Sequence, residues 1–364
     1  MIHIVPKRFN PTWMLYGAYG FTGRLLVAEA VRRGHRPVLA GRNAALLAEL
    51  GTKYDLDWLA LDLDYAQRLH KTVDRFDLVF HAAGPFIHTS EPMIRACLAG
   101  RTHYIDITGE IKVFDNTFRH HEEAQSRGVA LLSGGGLDIV PSDCLARYVA
   151  DQVPEATHLI TAIHALSGVT SGTVKSGLAN LDVSPMGSLV RQNHRLVQQP
   201  LGKGSRNIRF SDNRERTVSP FPWGDLVTAA HTTGIPNITS YLALPRVPGL
   251  RLLGGASARL LAMSPVRNVA NRAVSLTFRG PDEEAQRTGR TYLYAKATNE
   301  TGHSAEAWLE TVEVYRFTAL AGIKLVERIL ASPLRGAITP AGAFGADFVL
   351  GIDGTQRFDT LPAR

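Results

Sequence analysis

Three glycines at three-residue spacing, Gly17, Gly20 and Gly23, follow the apolar run Trp13-Met14-Leu15-Tyr16 and precede the helix-period stretch Leu25-Leu26-Val27-Ala28-Glu29-Ala30-Val31. That order of strand, glycine turn and helix is how a chain builds a backbone cradle for a pyrophosphate. Gly17 would turn the chain sharply off the strand, Gly20 would let the backbone approach the phosphates, and Gly23 would let the helix pack closely on the sheet. The amides around Tyr19, Phe21 and Thr22 would then face the anion at the positive end of the helix dipole.

The next apolar run, Arg36 to Ala40, ends in Gly41-Arg42-Asn43, and no Asp or Glu stands between Ala30 and Ala48. A carboxylate at that point would grip the ribose hydroxyls of NAD, whereas a guanidinium pairs with a 2′-phosphate. The cofactor expected is therefore NADP(H), with Arg42 and Asn43 at its adenosine end. The competing reading makes Arg42 a solvated loop residue. Asp62 stands after a third strand, either as an adenine contact or as a turn former in Asp62-Leu63-Asp64. The small, rigid turn Ala83-Gly84-Pro85 would let the nicotinamide ribose lie against backbone.

Hydride transfer belongs to such a cofactor, so the protein has one proton to supply or manage. No Tyr-x-x-x-Lys pair at helix spacing is present. His81 and His88 flank Gly84-Pro85, and Tyr104 and Asp106 share a strand. Asp138, Ser142 and Asp143 follow the sixth strand, and Asp225 and His231 lie further on. His81, Tyr104 and His231 are the candidates for proton transfer. Against them stand a hydrogen-bonded core imidazole for His81 and simple packing for Tyr104. Pro141-Ser142-Asp143 reads as a helix start.

These residues must be positioned by strands and helices in alternation. Strands are predicted at Thr12–Tyr16, Arg36–Ala40, Trp58–Leu61, Leu78–His81, His103–Asp106 and Val129–Leu132, with helices between them. The fold class is α/β: a Rossmann-type, doubly wound parallel sheet over residues 1–150. From about Glu155 the texture becomes that of a second, largely antiparallel α+β domain for substrate or oligomerisation, over residues 151–330. Its strands are predicted at Thr157–Leu166, Arg206–Phe210, Ile238–Leu244, Ala273–Arg279, Tyr292–Thr298 and Ala305–Glu310, with a hairpin at Asn299–Gly302 and a closing helix at Arg316–Leu330. Residues 331–364 are expected to return to the first domain.

Composition sets bounds. At 364 residues, with 45% hydrophobic content, the chain can hold two domains of ordinary size. The two cysteines, Cys97 and Cys144, suggest neither a disulfide framework nor a metal site. The formal charge of +7 fits an anionic cofactor. The densest basic stretch, Arg191 to Arg216, carries no nucleic-acid motif, so no nucleic acid is expected as partner. Met1 to Thr12 lacks a secretory signal, and a cytoplasmic protein is expected. Tyr241 to Met263 is apolar but broken by Pro245, Arg246, Pro248, Arg251 and Arg259, so it cannot span a membrane. Leu250 to Met263 reads as an amphipathic helix, for peripheral membrane or lipid contact or for packing in the core or in a homo-oligomer, which is the expected state.

Several motifs carry a family resemblance: Gly17-Ala18-Tyr19-Gly20-Phe21-Thr22-Gly23, Ala40-Gly41-Arg42, Gly84-Pro85-Phe86, the run Cys97 to Glu110, and Gly136-Leu137-Asp138-Ile139-Val140-Pro141-Ser142-Asp143. Together they resemble the saccharopine dehydrogenase-like oxidoreductases, and look closest to the branch containing trans-acting enoyl reductases. Ser171-Gly172-Thr173, Pro222-Trp223-Gly224-Asp225, Thr233 to Asn237 and Thr339 to Gly345 extend the resemblance over nearly the whole chain. It implies an NADPH-dependent oxidoreductase passing hydride to an unsaturated (enoyl) or carbonyl substrate, a small molecule or a lipid-like, carrier-bound one. A saccharopine-type C–N oxidoreductase is the alternative, with Arg191, Arg195, Arg206 and Arg209 as a carboxylate clamp, and a non-catalytic NADP-binding redox sensor is a third reading. Tyr19 stands where the family commonly has Thr or Ser, and Val140 where it has a smaller residue.

Overall fold

The computed structural model describes residues 12–165, 187–200, 202–243 and 281–363. Its first part runs β1 (Trp13–Tyr16), α1 (Phe21–Arg32), β2 (Val38–Gly41), α2 (Ala44–Tyr54), β3 (Trp58–Ala60), α3 (Ala66–Val73), β4 (Leu78–His81), α4 (Phe86–Gly100), β5 (His103–Asp106), α5 (Ile111–Arg119), α6 (His121–Arg127), β6 (Ala130–Leu132) and α7 (Val140–Ala150). Each strand falls within a residue of its predicted run, apart from β2, which starts two residues later. Trp13 and Leu15 pack into one apolar layer while Met14 and Tyr16 pack into another, because successive strand side chains point to opposite faces. With both faces covered, a near-continuous apolar run is what a parallel strand requires.

The second part runs β7 (His158–Ala165), β8 (Gly187–Gln192), β9 (Arg195–Pro200), β10 (Arg206–Arg209), β11 (Glu215–Pro220), α8 (Asp225–Thr233), β12 (Asn237–Leu242), α9 (Glu283–Thr288), β13 (Arg290–Thr298), β14 (Ser304–Val312), α10 (Val314–Leu330), β15 (Gly336–Ala337), α11 (Pro340–Phe344), a 3-10 turn at Ala346–Gly351, and β16 (Gln356–Phe358). The first sheet has the order β15-β6-β5-β4-β1-β2-β3, all parallel. Its order reverses about β1, which pairs Leu15 with Leu39 on one side and with Phe80 on the other. The second sheet runs β10-β11-β12-β7-β13-β14-β16, with β8 and β9 branching from β12. It is antiparallel except where β12 meets β7.

The tail serves both sheets. β15 adds a strand beside β6, and β16 pairs with β14. The helix expected to close the second domain, α10, instead lies on the first sheet against α1 and β4. Gly322 makes this possible, since a Cβ there would come within 2.8 Å of the Phe80 ring and 2.9 Å of Leu26. Gly224 and Gly234 bracket the nine-residue α8. Ser171-Gly172-Thr173, the strand expected at Ala273–Arg279 and the amphipathic stretch Leu250–Met263 lie outside the described residues. Among the described residues, no helix is long and apolar enough to cross a membrane.

Candidate active site

The site begins at the carboxyl end of β1. Gly17 has φ +87°, and a Cβ on it would lie 2.9 Å from Ala82 and Ala83. Gly23 is tighter still: a Cβ there would sit 2.2 Å from the Gly17 carbonyl oxygen. The turn is thus closed around absent side chains, and the first amides of α1 have no partner within the helix, which leaves donors for an anion. The predicted cradle residues Gly17, Tyr19, Gly20, Phe21, Thr22 and Gly23 therefore share one turn, and it abuts Ala83. The backbone fits a dinucleotide pyrophosphate.

At the adenosine end, Arg42 is exposed and donates no hydrogen bond among the described residues. Its charge reaches the hydroxyl of Tyr16, which burial pushes above its ordinary range. The Tyr19 ring lies over Gly41, where a Cβ would come within 2.6 Å of it. The large residue in the glycine turn is thus accommodated by a missing side chain in β2. Asn43 caps α2, accepting from the Leu46 amide at 3.1 Å. Asp62 Oδ1 accepts from the Asp64 amide at 3.2 Å, the bond of a turn former.

At the other end, the turn Ala83-Gly84-Pro85 leads into α4. Glu110, in the turn before α5, accepts from the amides of Phe86 at 3.1 Å and Ile87 at 2.7 Å. A carboxylate against the first amides of a helix is stabilised by their partial positive charge. From sequence, Glu110 is named only as the end of the run Cys97 to Glu110, with no role of its own. No local pattern announces it, because its partners lie 23 and 24 residues away.

Beneath that turn runs a buried polar chain. His81 Nδ1 is 3.2 Å from the Tyr104 hydroxyl, which donates to Asp106 Oδ2 at 2.9 Å. With Tyr104 donating to Asp106, the proton of the imidazole belongs on Nδ1. Asp106 also accepts from Ser133 Oγ and from the amides of Thr108 and Gly134. Burial pushes its pKa up to about 6 against those donors, and burial drives His81 down to about 3, so that imidazole is neutral. His81 and Tyr104 are both 0% exposed, and neither reaches the open edge of the sheet. They are brought together, but under the site.

His231 lies elsewhere. It is exposed on α8, and its ring stacks on Phe118 with centroids 3.6 Å apart; partial burial together with Arg191 and His121 lowers its pKa. The structure does not join it to the His81–Tyr104 chain. The four arginines considered as a clamp are also dispersed: Arg191 donates to the Leu226 carbonyl, Arg206 lies over Tyr241, Arg209 faces Glu215, and Arg195 is exposed on β9.

The two sheets meet through α7 and α8. Ser142 and Thr161 donate to Asp225 at 2.7 and 2.8 Å, while Asp143 accepts from Thr232 and from the Ala341 amide. Ser142 and Asp143 are thus structural, as a helix start would suggest. Trp223, just before α8, donates Nε1 to the Asp138 carbonyl at 2.6 Å. Thr318 of α10 accepts from the Leu137 amide, fixing the glycine turn after β6.

Comparison with known proteins agrees with this geometry. Residues 13–132 match the family model described as saccharopine dehydrogenase NADP binding domain. The whole chain has the fold of the saccharopine dehydrogenase (L-Glu forming) of Saccharomyces cerevisiae, with a TM-score of 0.61 at 11% identity, covering 93% of this chain and 96% of that one. Fold, cradle and domain match define an NADP(H)-dependent oxidoreductase whose residues 13–132 are similar to the saccharopine dehydrogenase NADP binding domain. Within that class its relatives include the trans-acting enoyl reductase of Mycobacterium leprae, 28% identical over 91% of this chain and 93% of that protein. The trans-acting enoyl reductase of Mycobacterium tuberculosis is 25% identical over the same shares.

Proposed function

We propose that this protein is an NADPH-dependent reductase that adds hydride to a carbon–carbon double bond conjugated to a carbonyl, on a lipid-like or carrier-bound substrate. The observation that carries the reading is the closed glycine turn at Gly17, Gly20 and Gly23, with the exposed Arg42 guanidinium at one end and the Ala83–Pro85 turn at the other. The enoyl acceptor is favoured by the names of relatives aligned over nine-tenths of the chain. The saccharopine-type alternative lacks support from Arg191, Arg195, Arg206 and Arg209, which do not converge.

In this reading the glycine turn holds the pyrophosphate, and Arg42 pairs with the 2′-phosphate. Bound NADPH supplies the hydride. Glu110 fixes the turn against which the nicotinamide ribose rests, through the Phe86 and Ile87 amides. His81, Tyr104 and Asp106 form the floor of that turn as positioning residues, with the neutral imidazole adding no charge beneath the ring. The test is NADPH oxidation by purified protein offered α,β-unsaturated thioesters, ketones and imines. Consumption with unsaturated thioesters is expected; consumption with imines alone, or with none of the three, overturns the reading.

A further inference from the structure

Five carboxyl groups line the region where the carboxyl edge of the first sheet meets the second: Asp106, Glu110, Asp138, Asp143 and Asp225. Asp106, Glu110, Asp143 and Asp225 are buried, and each accepts at least two hydrogen bonds. Asp138 differs in both respects. It is only partly buried, and among the described residues its carboxyl group accepts no hydrogen bond; its main-chain carbonyl alone is held, by Trp223.

The carboxyl has a defined place. Its Oδ2 lies over Gly109, 2.7 Å from where a Cβ would stand, so the side chain rests in the space that the glycine leaves open. Gly109 follows β5, and Asp138 ends the turn after β6. Along the strand ends the sequence of features is therefore Arg42 after β2, the glycine turn after β1, the Glu110-held turn after β4, and then Asp138. A dinucleotide with its adenosine at Arg42 and its pyrophosphate at α1 extends its reactive ring toward the β4–β6 side. Among the described residues, Asp138 presents the one carboxyl of the five on that side that accepts no hydrogen bond.

We propose that Asp138 is the proton donor of the reduction; this rests on the reductase reading above. As the β-carbon of the substrate takes up a hydride, with its electron pair, from the reduced nicotinamide dinucleotide, the π pair moves toward the α-carbon. The O–H bond of Asp138 breaks and its proton bonds to that α-carbon. A carboxylate and a saturated product remain, and solvent at the exposed edge restores the proton. The charged groups facing Asp138 are Glu110, from the turn before α5, and Asp225 of α8, with Asp143 of α7 behind it. Burial and the Glu110 charge push Asp138 up to about 7, the range in which a carboxylic acid can act as an acid at neutral pH.

The test uses carboxyl carbon-13 labelling of the full chain, with the Asp138 resonance assigned by its loss in Asp138→Asn, or by its shift in Asp138→Glu should the first variant not fold. The expected midpoint lies near pH 7 and is lower by roughly one pH unit or more with NADP+ than with NADPH, because the oxidised ring carries a positive charge beside the carboxyl. Asp138→Asn should also consume NADPH roughly 10²–10⁴-fold more slowly. The wild-type rate should fall above pH 7, and the variant's should not. A midpoint indifferent to the redox state of the cofactor, or a variant within tenfold of the wild-type rate, overturns the proposal. Failure of the wild-type protein to oxidise NADPH with any of the three acceptor classes refutes the reductase reading instead, and the titration still decides whether Asp138 faces the ring.

Discussion

Replacing Glu110 with glutamine tests whether one carboxylate holds the turn at the nicotinamide end. The wild-type side chain is 2% exposed and accepts from two consecutive amides, at 3.1 and 2.7 Å. Glutamine keeps one acceptor oxygen but turns an NH2 group toward the other amide. The substitution removes one charge-assisted hydrogen bond and leaves a buried donor facing a donor, a loss of about 2–4 kcal/mol. Expressed as local opening, that is about a 30- to 1000-fold loss of protection from hydrogen exchange. Exchange measured by mass spectrometry on a peptide spanning Gly84 to His88 reads it directly, without requiring the two sheets to unfold as one unit. Exchange at the Phe86 and Ile87 amides within threefold of wild type would refute the clamp, and with it the argument that this turn is preset for a ribose.

Three further outcomes follow from the same geometry. Gly23→Ala places a Cβ 2.2 Å from the Gly17 carbonyl oxygen; the strain of about 1–3 kcal/mol or more should abolish NADPH binding in a fluorescence titration, and unaltered binding would show that the turn is not the cradle. Asp225, held up at about 7 mainly by burial, is costly to ionise in the folded protein. An acid whose folded pKa is raised stabilises the fold less as pH climbs from its unfolded value to its folded one. Asp225→Asn should therefore gain stability relative to wild type between about pH 4 and 7 and show a constant difference above that, as followed by thermal denaturation across pH; a difference flat throughout contradicts the shift. Phe118→Ala removes the ring beneath His231 and should leave NADPH affinity within about twofold, since among the described residues no hydrogen bond or ring contact joins that pair to the glycine turn, the spread expected for uncoupled sites; a tenfold loss would place His231 in the cofactor site after all.

Much of the first sheet was legible because its strands are covered on both faces and read as apolar runs between glycine-rich turns. The second sheet was less so. β9 alternates weakly and carries Arg195, Val197 and Gln198 on exposed positions, so it has little periodicity to read, and β15 is only two residues long. The place of α10 was hidden for a related reason. Its apolar face specifies burial but not against which sheet, and the choice is made by Gly322 meeting Phe80. In the site, the local features were visible: the cradle is one contiguous turn, and Arg42 is two residues past the apolar core of its strand. The features missed were long-range. Glu110 binds amides more than twenty residues back, and Asp138 is distinguished from its acidic neighbours only by what does not bond to it. Burial likewise separated His81 and Tyr104 from the open edge, which residue type could not do.

The central claim is that the Arg42 end of this cradle reads a 2′-phosphate. A guanidinium at about 4 Å from a phosphate contributes about 1–4 kcal/mol between water-like and surface-like screening, and the exposure of Arg42 puts it toward the lower half, about a 5- to 30-fold preference. Titrating the wild type and Arg42→Ala with NADPH and with NADH measures it. The account predicts tighter NADPH binding by the wild type, and a variant that loses that preference while its NADH affinity stays the same. An NADPH-to-NADH ratio left intact by the substitution would contradict it.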